Sequence, residues 1–538
     1  MSLYNKASLI QVPSLYKDGL LVSTVPEDRS GDFAVARGAN LSATRIGEDG
    51  YIKKGYENLL LQSNSFDTTW TTFGTSVTSG QSGYDGSNDA WLLEKTSANG
   101  YLNQSNIDNG VQTFSIYAKA NESNFLYVRI YADSPRVFFD LINGVTTNSG
   151  PVISSSIEDV GNGWYHCSFS TNMTSASFLR IYPAEAAFDS SATSGSIYIQ
   201  DAQLNQGLVA YPYLETTTAP AQGGLLENTP RLDWSNGVPS VLVEEGRTNL
   251  INYSEPFEAS GTPNWRVQNG TITLSDEKPY FLNTYAAKYV PTSSGLNQFF
   301  ITIPSLISGS SYVNTYYLKP SSGISYLFFD VSGRIKYNVS TNLLDPLPVG
   351  VSGGITPLQD GWLKATFIYD SVSSSINTNK VYASSTDNFT SGIPLNEYLL
   401  FTACQFEQGS TPSSYIPTYG TTQTRSNETV SDTFSIPTTA TIYNSFYSDV
   451  SEQVYVLDQV FNVSVGLNKV AIAFSPTAIK ISVGGAIVAS STGSYDTTSL
   501  SNIQLGSNNG TDYSNAPISG FYVFPEFLTD AELNSLTD

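Results

Sequence analysis

The feature that most constrains this chain is an internal repeat of roughly 200 residues. The phrase Glu57-Asn58-Leu59-Leu60-Leu61-Gln62-Ser63, followed by Phe66 and Trp70, returns as Thr248-Asn249-Leu250-Ile251-Asn252-Tyr253-Ser254, followed by Phe257 and Trp265. Further landmarks keep the same order. Tyr117-Ala118-Lys119 matches Tyr317-Leu318-Lys319, Phe138-Phe139-Asp140 matches Phe328-Phe329-Asp330, and Asn162-Gly163-Trp164 matches Asp360-Gly361-Trp362. The series closes with Gln203-Leu204-Asn205-Gln206-Gly207 against Gln405-Phe406-Glu407-Gln408-Gly409. The offset drifts between about 190 and about 202, as loop insertions between retained strands would produce. Whatever fold one copy adopts, the other must adopt as well.

Within each copy the apolar residues alternate. Thr113-Phe114-Ser115-Ile116-Tyr117-Ala118-Lys119, Trp164-Tyr165-His166-Cys167-Ser168-Phe169 and Leu363-Lys364-Ala365-Thr366-Phe367-Ile368-Tyr369 have the period of two and the β-branched and aromatic content of half-buried strands. Asn162-Gly163 and Asp360-Gly361 are hairpin dipeptides, because these residues tolerate positive φ. No long segment has a 3.6-residue period. The pattern predicts an all-β protein of tandem antiparallel jelly-roll or β-sandwich domains with an N-terminal arm. Its expected divisions are an arm over 1–54, a first module over 55–220, a linker plus second module over 221–424, and a short sandwich over 425–538. A capped helix is predicted at Leu528–Leu536, with Thr529 or Asp530 as cap and Glu532 at the capping-box position.

Composition removes several classes of function. The 538 residues carry a net charge of −22, and the 25 basic residues are scattered, so no nucleic-acid partner is expected. The same charge opposes an anionic membrane, and no apolar run is long enough to span one. The start of the chain lacks the apolar core of a signal peptide, which points to synthesis and assembly in a cytoplasm. His166 is the lone histidine, leaving little for triads or zinc sites. Cys167 and Cys404 sit in apolar strands opposite alanines of the other copy, so both are expected to be small core residues.

The repeat landmarks resemble virion structural proteins of tailed bacteriophages that infect Bacteroidetes, crAss-like phages included. The resembling phrases are Phe33-Ala34-Val35-Ala36-Arg37-Gly38-Ala39-Asn40-Leu41-Ser42-Ala43-Thr44-Arg45-Ile46, Pro230-Arg231-Leu232-Asp233-Trp234, Arg247-Thr248-Asn249-Leu250-Ile251 and Asp201-Ala202-Gln203-Leu204-Asn205-Gln206-Gly207. In that family such phrases open and close modules similar to carbohydrate-binding jelly rolls, and the last 114 residues are similar to the closing half of a concanavalin- or laminin-G-like sandwich. At that length the sandwich is either reduced or completed by another subunit. The resemblance implies a head fibre or capsid-surface decoration subunit on the virion. A tail fibre or adhesin for host-surface glycans is the alternative, and a polysaccharide-degrading enzyme is a third and weaker one.

The expected mechanism is attachment and display. The arm would dock on capsid or tail proteins through Leu9, Ile10, Val12, Leu15 and Tyr16, and self-association, as a homotrimer, would bury remaining apolar faces. No catalytic residue or cofactor is assigned: Glu244, Glu245, Glu255 and Glu258 cluster without acidic counterparts in the first copy, and are read as solvated. Asp85 and Asp89, in Tyr84–Asp89, could hold a structural calcium, as could the Ser507–Asp512 turn, although Asp/Asn/Gly clusters form turns first. Trp70, Trp164, Trp265 and Trp362 fall on landmarks and are expected in the cores. Trp91 and Trp234 do not, and are the candidate glycan contacts.

Overall fold

The computed structural model describes the chain except residues 1–2, 39–40, 108, 131–133, 174–176, 258–264, 449–451, 457–458, 498–502 and 508–513. It is all-β, with antiparallel sheets packed as three sandwiches. The two copies of the repeat fold alike, strand for strand. In the first module one sheet runs Val152–Gly161, Trp164–Met173, Gly110–Ala120, Ser196–Gln206, Ala90–Lys95, Thr75–Gln81. Its counterpart in the second runs Val351–Pro357, Leu363–Tyr369, Tyr312–Pro320, Leu399–Gln408, Ala287–Pro291, Gly270–Leu274. The opposing sheet runs Val145–Ser149, Arg136–Asp140, Phe125–Ile130, Ser177–Ala184, Tyr101–Ile107, Thr71–Phe73 in the first, and Leu343–Leu344, Arg334–Asn338, Tyr326–Asp330, Thr378–Ser384, Asn297–Thr302, Trp265–Gln268 in the second. Alternating residues of both sheets, such as Phe114, Ile116 and Phe169 against Leu126, Val128 and Ile181, fill the core between them.

One landmark is displaced. Phe138 lies on the strand equivalent to Arg334–Asn338, whereas Phe328 lies on the strand equivalent to Phe125–Ile130. Paired strands of a hairpin bury the same kind of alternation, so a short Phe-Phe-Asp phrase matches equally well one strand out of place. The other landmarks align. Asn162 and Gly163, like Asp360 and Gly361, have positive φ, as their hairpin turns require. Cys167 and Cys404 are free and buried.

The Asn that recurs in each opening phrase is a latch. Asn58 is fully buried, and its amide donates to the carbonyls of Ala202 and Leu214 (3.1 and 2.8 Å) while its oxygen accepts from the amides of Leu60 and Leu204 (3.2 and 3.1 Å). Asn249 repeats the pattern with Cys404, Ile416, Ile251 and Phe406. Ser63 and Tyr213, or Ser254 and Tyr415, close the same joint by a hydroxyl pair. Each latch pins the entry of a module to its last strand and to the segment that leaves it.

The third sandwich corrects the expected arm and the short C-terminal domain. Its larger sheet joins Arg231–Asp233 and Ser240–Leu242 to Ile518–Phe524, Ala440–Ser448, Gly466–Ser475, Ala478–Val483 and Ala486–Thr492, with Leu9–Gln11 also paired to Ile518–Phe524. Its smaller sheet is Tyr16–Lys17, Leu20–Leu21, Phe33–Arg37, Glu428–Asp432 and Ile503–Leu505. This base is therefore completed within the same chain, by the N-terminal residues and by the link between the repeats. Leu9, Leu21 and Phe33 are fully buried in its core with Val241, Val430 and Val523. The helix Asp530–Thr537 closes one side, capped by Thr529 in the predicted capping box with Glu532.

Both modules are insertions into this base. The first leaves and returns on one ladder, Ile52–Asn58 against Ala221–Gly224, with Gly55 opposite Gly224. The second uses Arg247–Asn249 against Gln423–Arg425. Because the Asn249 latch makes four bonds in a dry site, Asn249→Ala is expected to cost about 2–4 kcal/mol. Calorimetry should show one transition, that of the second module, moving down while the first module's stays in place.

Candidate functional site

The four chain crossings between base and modules meet in a buried ionic cluster. Arg37 ends a base strand before the first module, Arg231 opens the return strand, Glu244 precedes the second ladder, and Arg425 and Glu428 flank the final return. Glu428 receives Arg37 Nη1 at 3.0 Å and Arg231 Nε at 2.8 Å on one oxygen, and Arg231 Nη2 on the other. Glu244 receives Arg231 Nη1 at 2.7 Å and Arg425 Nη1 at 3.2 Å. All five side chains are within 4% of complete burial. Other guanidinium protons reach the carbonyls of Thr229, Thr44 and Glu245, while Arg37 Nε and Arg425 Nε are buried without an acceptor among the described residues. Glu244, expected in solvent, is thus a junction residue, and only its neighbour Glu245 is exposed. Glu255 is also buried, 3.7 Å from Lys54 of the first ladder, whose ammonium donates to Tyr419; Glu258 lies outside the described residues.

The structure scatters the predicted site residues. Leu9 and Ile10 are buried in the base and cannot dock on a partner, because they are its own core; Val12 is half-buried, and Leu15 and Tyr16 are exposed. Trp91 is 8% exposed, packs edge-on against Phe66, and donates Nε1–H to Asn64, so it is a core residue and no glycan platform. Trp234 is half-buried where the Arg231–Asp233 strand meets Ile46, its amide bonded to that carbonyl. Trp70, Trp164, Trp265 and Trp362 are all buried.

At the calcium candidate, Asp85 and Asp89 share one donor: Gln200 Nε2 lies 3.3 Å from the first carboxylate and 2.7 Å from the second. Among the described residues no group of three acidic or thiol and imidazole side chains is placed to hold a metal. The Ser507–Asp512 turn falls largely outside them. Nor is any described helix long and apolar enough to cross a membrane.

What the sequence did not reveal is a contrast between the outer faces of the two modules. In the first, Tyr84 lies flat on Tyr117 with centroids 3.6 Å apart, beside Trp164 and His166, and its hydroxyl donates to Asp201 at 3.0 Å. In the second, Phe281 takes the place of Tyr84 against Tyr317 and Trp362, and Ala403 that of Asp201 at the same positive-φ bulge. That apolar face is covered by the base: Ile52 bonds to the Phe281 carbonyl, and Ile46, Leu282 and Tyr415 seal the patch. Beside the seal lies a cleft of about 270 Å³ between base and second module, lined by Thr44, Arg45, Asp233, Glu244, Tyr317 and Lys364 among others. Among the described residues nothing covers the first module's face in this way, and Tyr84, Tyr117, His166 and Tyr198 stay half-exposed. A half-exposed aromatic face rimmed by carboxylates and amides can take up a polar ligand with apolar faces. No family model and no curated protein matches the chain.

Two carboxyls give opposite pH signatures. Burial opposes ionisation of Glu244, but Arg425 and Arg231 outweigh it and hold its pKa down to about 2. A folded pKa below the unfolded value stabilises fully above about pH 4.5 and is lost as pH falls toward 2. Glu244→Gln should therefore lower the base's melting temperature at neutral pH and flatten its acid limb. Asp201 is the reverse case. Burial, with Asp89 and Asp85 nearby, lifts its pKa to about 7, so its contribution is best at low pH and falls as pH rises from about 4 through 7. Asp201→Asn is expected to raise the first module's melting temperature at pH 8 and to change it little at pH 4.

Proposed function

We propose that the chain is a structural protein of a tailed-phage virion surface, a fibre or decoration subunit whose base holds two β modules for display. One observation carries the reading: a single base built from three chain segments receives both modules through paired strands, so everything outside the base is attached cargo. The phrases that resemble phage virion proteins support it by their location. Arg37, Arg231, Arg247 and Asn249 are the residues of the junction and the latches. The short C-terminal part is similar in kind to a lectin-type sandwich, and its missing strands come from the base's other two segments.

The base, rather than a free arm, is then the docking element, with Leu15 and Tyr16 as its exposed N-terminal apolar residues. A head fibre is the first location and a tail fibre the second. Assembly as a cyclic trimer suits either place and is read by native mass spectrometry. The half-exposed Tyr84–Tyr117 face favours a second role for the first module, recognition of host-surface or mucus glycans.

The test is excision. Joining Gly55 to Gly224 by a short turn removes the first module at a point where the two strands already touch. The shortened chain is expected to fold and to enter particles as the full chain does, seen as loss of one density lobe in a cryo-electron-microscopy reconstruction. A folded chain that stays off the particle would overturn docking through the base. Removing residues 1–54 instead takes away Leu9, Phe33 and Arg37, and is expected to unfold the base.

A further inference from the structure

One connection of the first module folds back over its own sheet. Residues 82–89 join the strands Thr75–Gln81 and Ala90–Lys95, and Tyr84 of this connection lies over Tyr117 of the strand Gly110–Ala120, the two rings 5° from parallel. Both ends of the buried Gln200 amide fix the connection. Its oxygen accepts from the Tyr84 amide at 3.1 Å, and its Nε2 donates toward Asp85, Ser87 and Asp89. Across the sheet Tyr117 stands between Gln200 and His166, and Glu158 stands beyond His166. The rings are therefore held in place before any ligand arrives, which lowers the cost of binding one.

Carboxylates rim these rings. Asp201 accepts from the Tyr84 hydroxyl at 3.0 Å, and Asp85, Asp89, Glu158 and Glu215 are exposed. Burial, and then the charges of Asp89, Asp85 and Glu215, push the Asp201 carboxyl up, so these three lie within electrostatic reach of it. Among the described residues none of the three aspartates is ion-paired with a lysine or arginine. Lys119 stands in the next row, between Trp164 and Tyr198. In the sister module Phe281 and Ala403 take the places of Tyr84 and Asp201 and are sealed under the base. The negative rim thus accompanies the aromatic face that is half-exposed, on a chain of net charge −22.

We propose that this face binds an amino sugar, a glycan whose free amines are protonated. The proposal rests on the reading that the first module recognises glycans through this face, and it names their chemistry. An ammonium group among Asp85, Asp89 and Asp201 gains charge-assisted hydrogen bonds and the attraction of the Tyr84 and Tyr117 rings, while the apolar side of the sugar ring packs on the same aromatics. A neutral sugar leaves the aspartates without a counter-charge, and an acidic one is repelled by them. A divalent cation fits less well, since among the described residues no three acidic side chains are placed to hold one.

The experiment titrates the full chain, near neutral pH, with a β-1,4-linked glucosamine hexamer. Its N-acetylated counterpart, a glucose hexamer of the same linkage and a lysine hexapeptide are the contrasts, all read by calorimetry. Expected is binding of the glucosamine hexamer that weakens with salt and is at least tenfold tighter than that of each contrast. Asp201→Asn, which keeps an acceptor for the Tyr84 hydroxyl and removes the charge, should weaken it at least tenfold. Asp89→Asn gives the same readout at an exposed position where folding is not at stake. The proposal is overturned if the glucosamine hexamer does not bind, if the lysine peptide binds as tightly, or if both folded variants bind like the parent chain. Equal binding of the neutral hexamers overturns the amino-sugar assignment and leaves glycan recognition standing, whereas binding of no hexamer removes both. Incorporation of the variants into particles is scored separately, so failure of the ligand and failure of display are distinguishable.

Discussion

Everything else in the architecture depends on five buried charges. Three arginines and two glutamates at the chain crossings are removed from water, which is expensive unless every proton and lone pair is used. Here most are used: the carboxylates bridge the guanidinium groups and backbone carbonyls take further protons, leaving Arg37 Nε and Arg425 Nε as the cluster's buried donors without an acceptor among the described residues. Losing one member would strand the others as uncompensated charge, a loss of about 3–5 kcal/mol in comparable sites. An apolar junction of the same volume could be as stable. What the ionic one adds is register, because Glu428 can take both Arg37 and Arg231 only when all three segments of the base are in place together. The cluster thereby checks that both excursions of the chain have returned correctly.

The duplicated modules show which positions the fold holds and which it releases. The latch asparagines, the hydroxyl pair beside them and the indole bonds of Trp70 and Trp265 to the backbone recur in both copies. These groups hold the entry strand to the exit segment, and without them the insertion has no anchor. The outward faces diverge together instead of singly. Tyr84 with Asp201 in one copy faces Phe281 with Ala403 in the other, and each pair suits its surroundings, water in the first case and the base's Ile52 in the second. A carboxylate in place of Ala403, beneath that seal, would be a buried charge without a partner.

How much of this could be read from the amino acids follows from distance along the chain. Hairpin turns, alternating strands and the capped helix are local, and Asn162-Gly163, Asp360-Gly361 and Thr529 through Glu532 announce them. The base is not local. Leu9–Gln11 and Leu20–Leu21 are strands of three and two residues, too short for periodicity, whose partners lie at the far end of the chain or across a short turn. Hence the N-terminal residues resembled an arm, the C-terminal part looked incomplete, and Glu244 looked solvated although it is sealed by Arg231 across its own hairpin and by Arg425 from the last segment. Trp91 misled for the converse reason, since it has no counterpart landmark yet fills the core beside Phe66. Arg129, Arg136 and Arg180 make the same point, since they are neighbours only across strands and a linear scan sees them as isolated charges.

The insertion plan separates the parts that must stay fixed from those that can vary. Stability of the base resides in the ionic cluster and in a core drawn from three segments, none of which lies on a module's outer face. The latch at Asn58 closes the first module on its own strands, so that module's outer face can change without loosening the base.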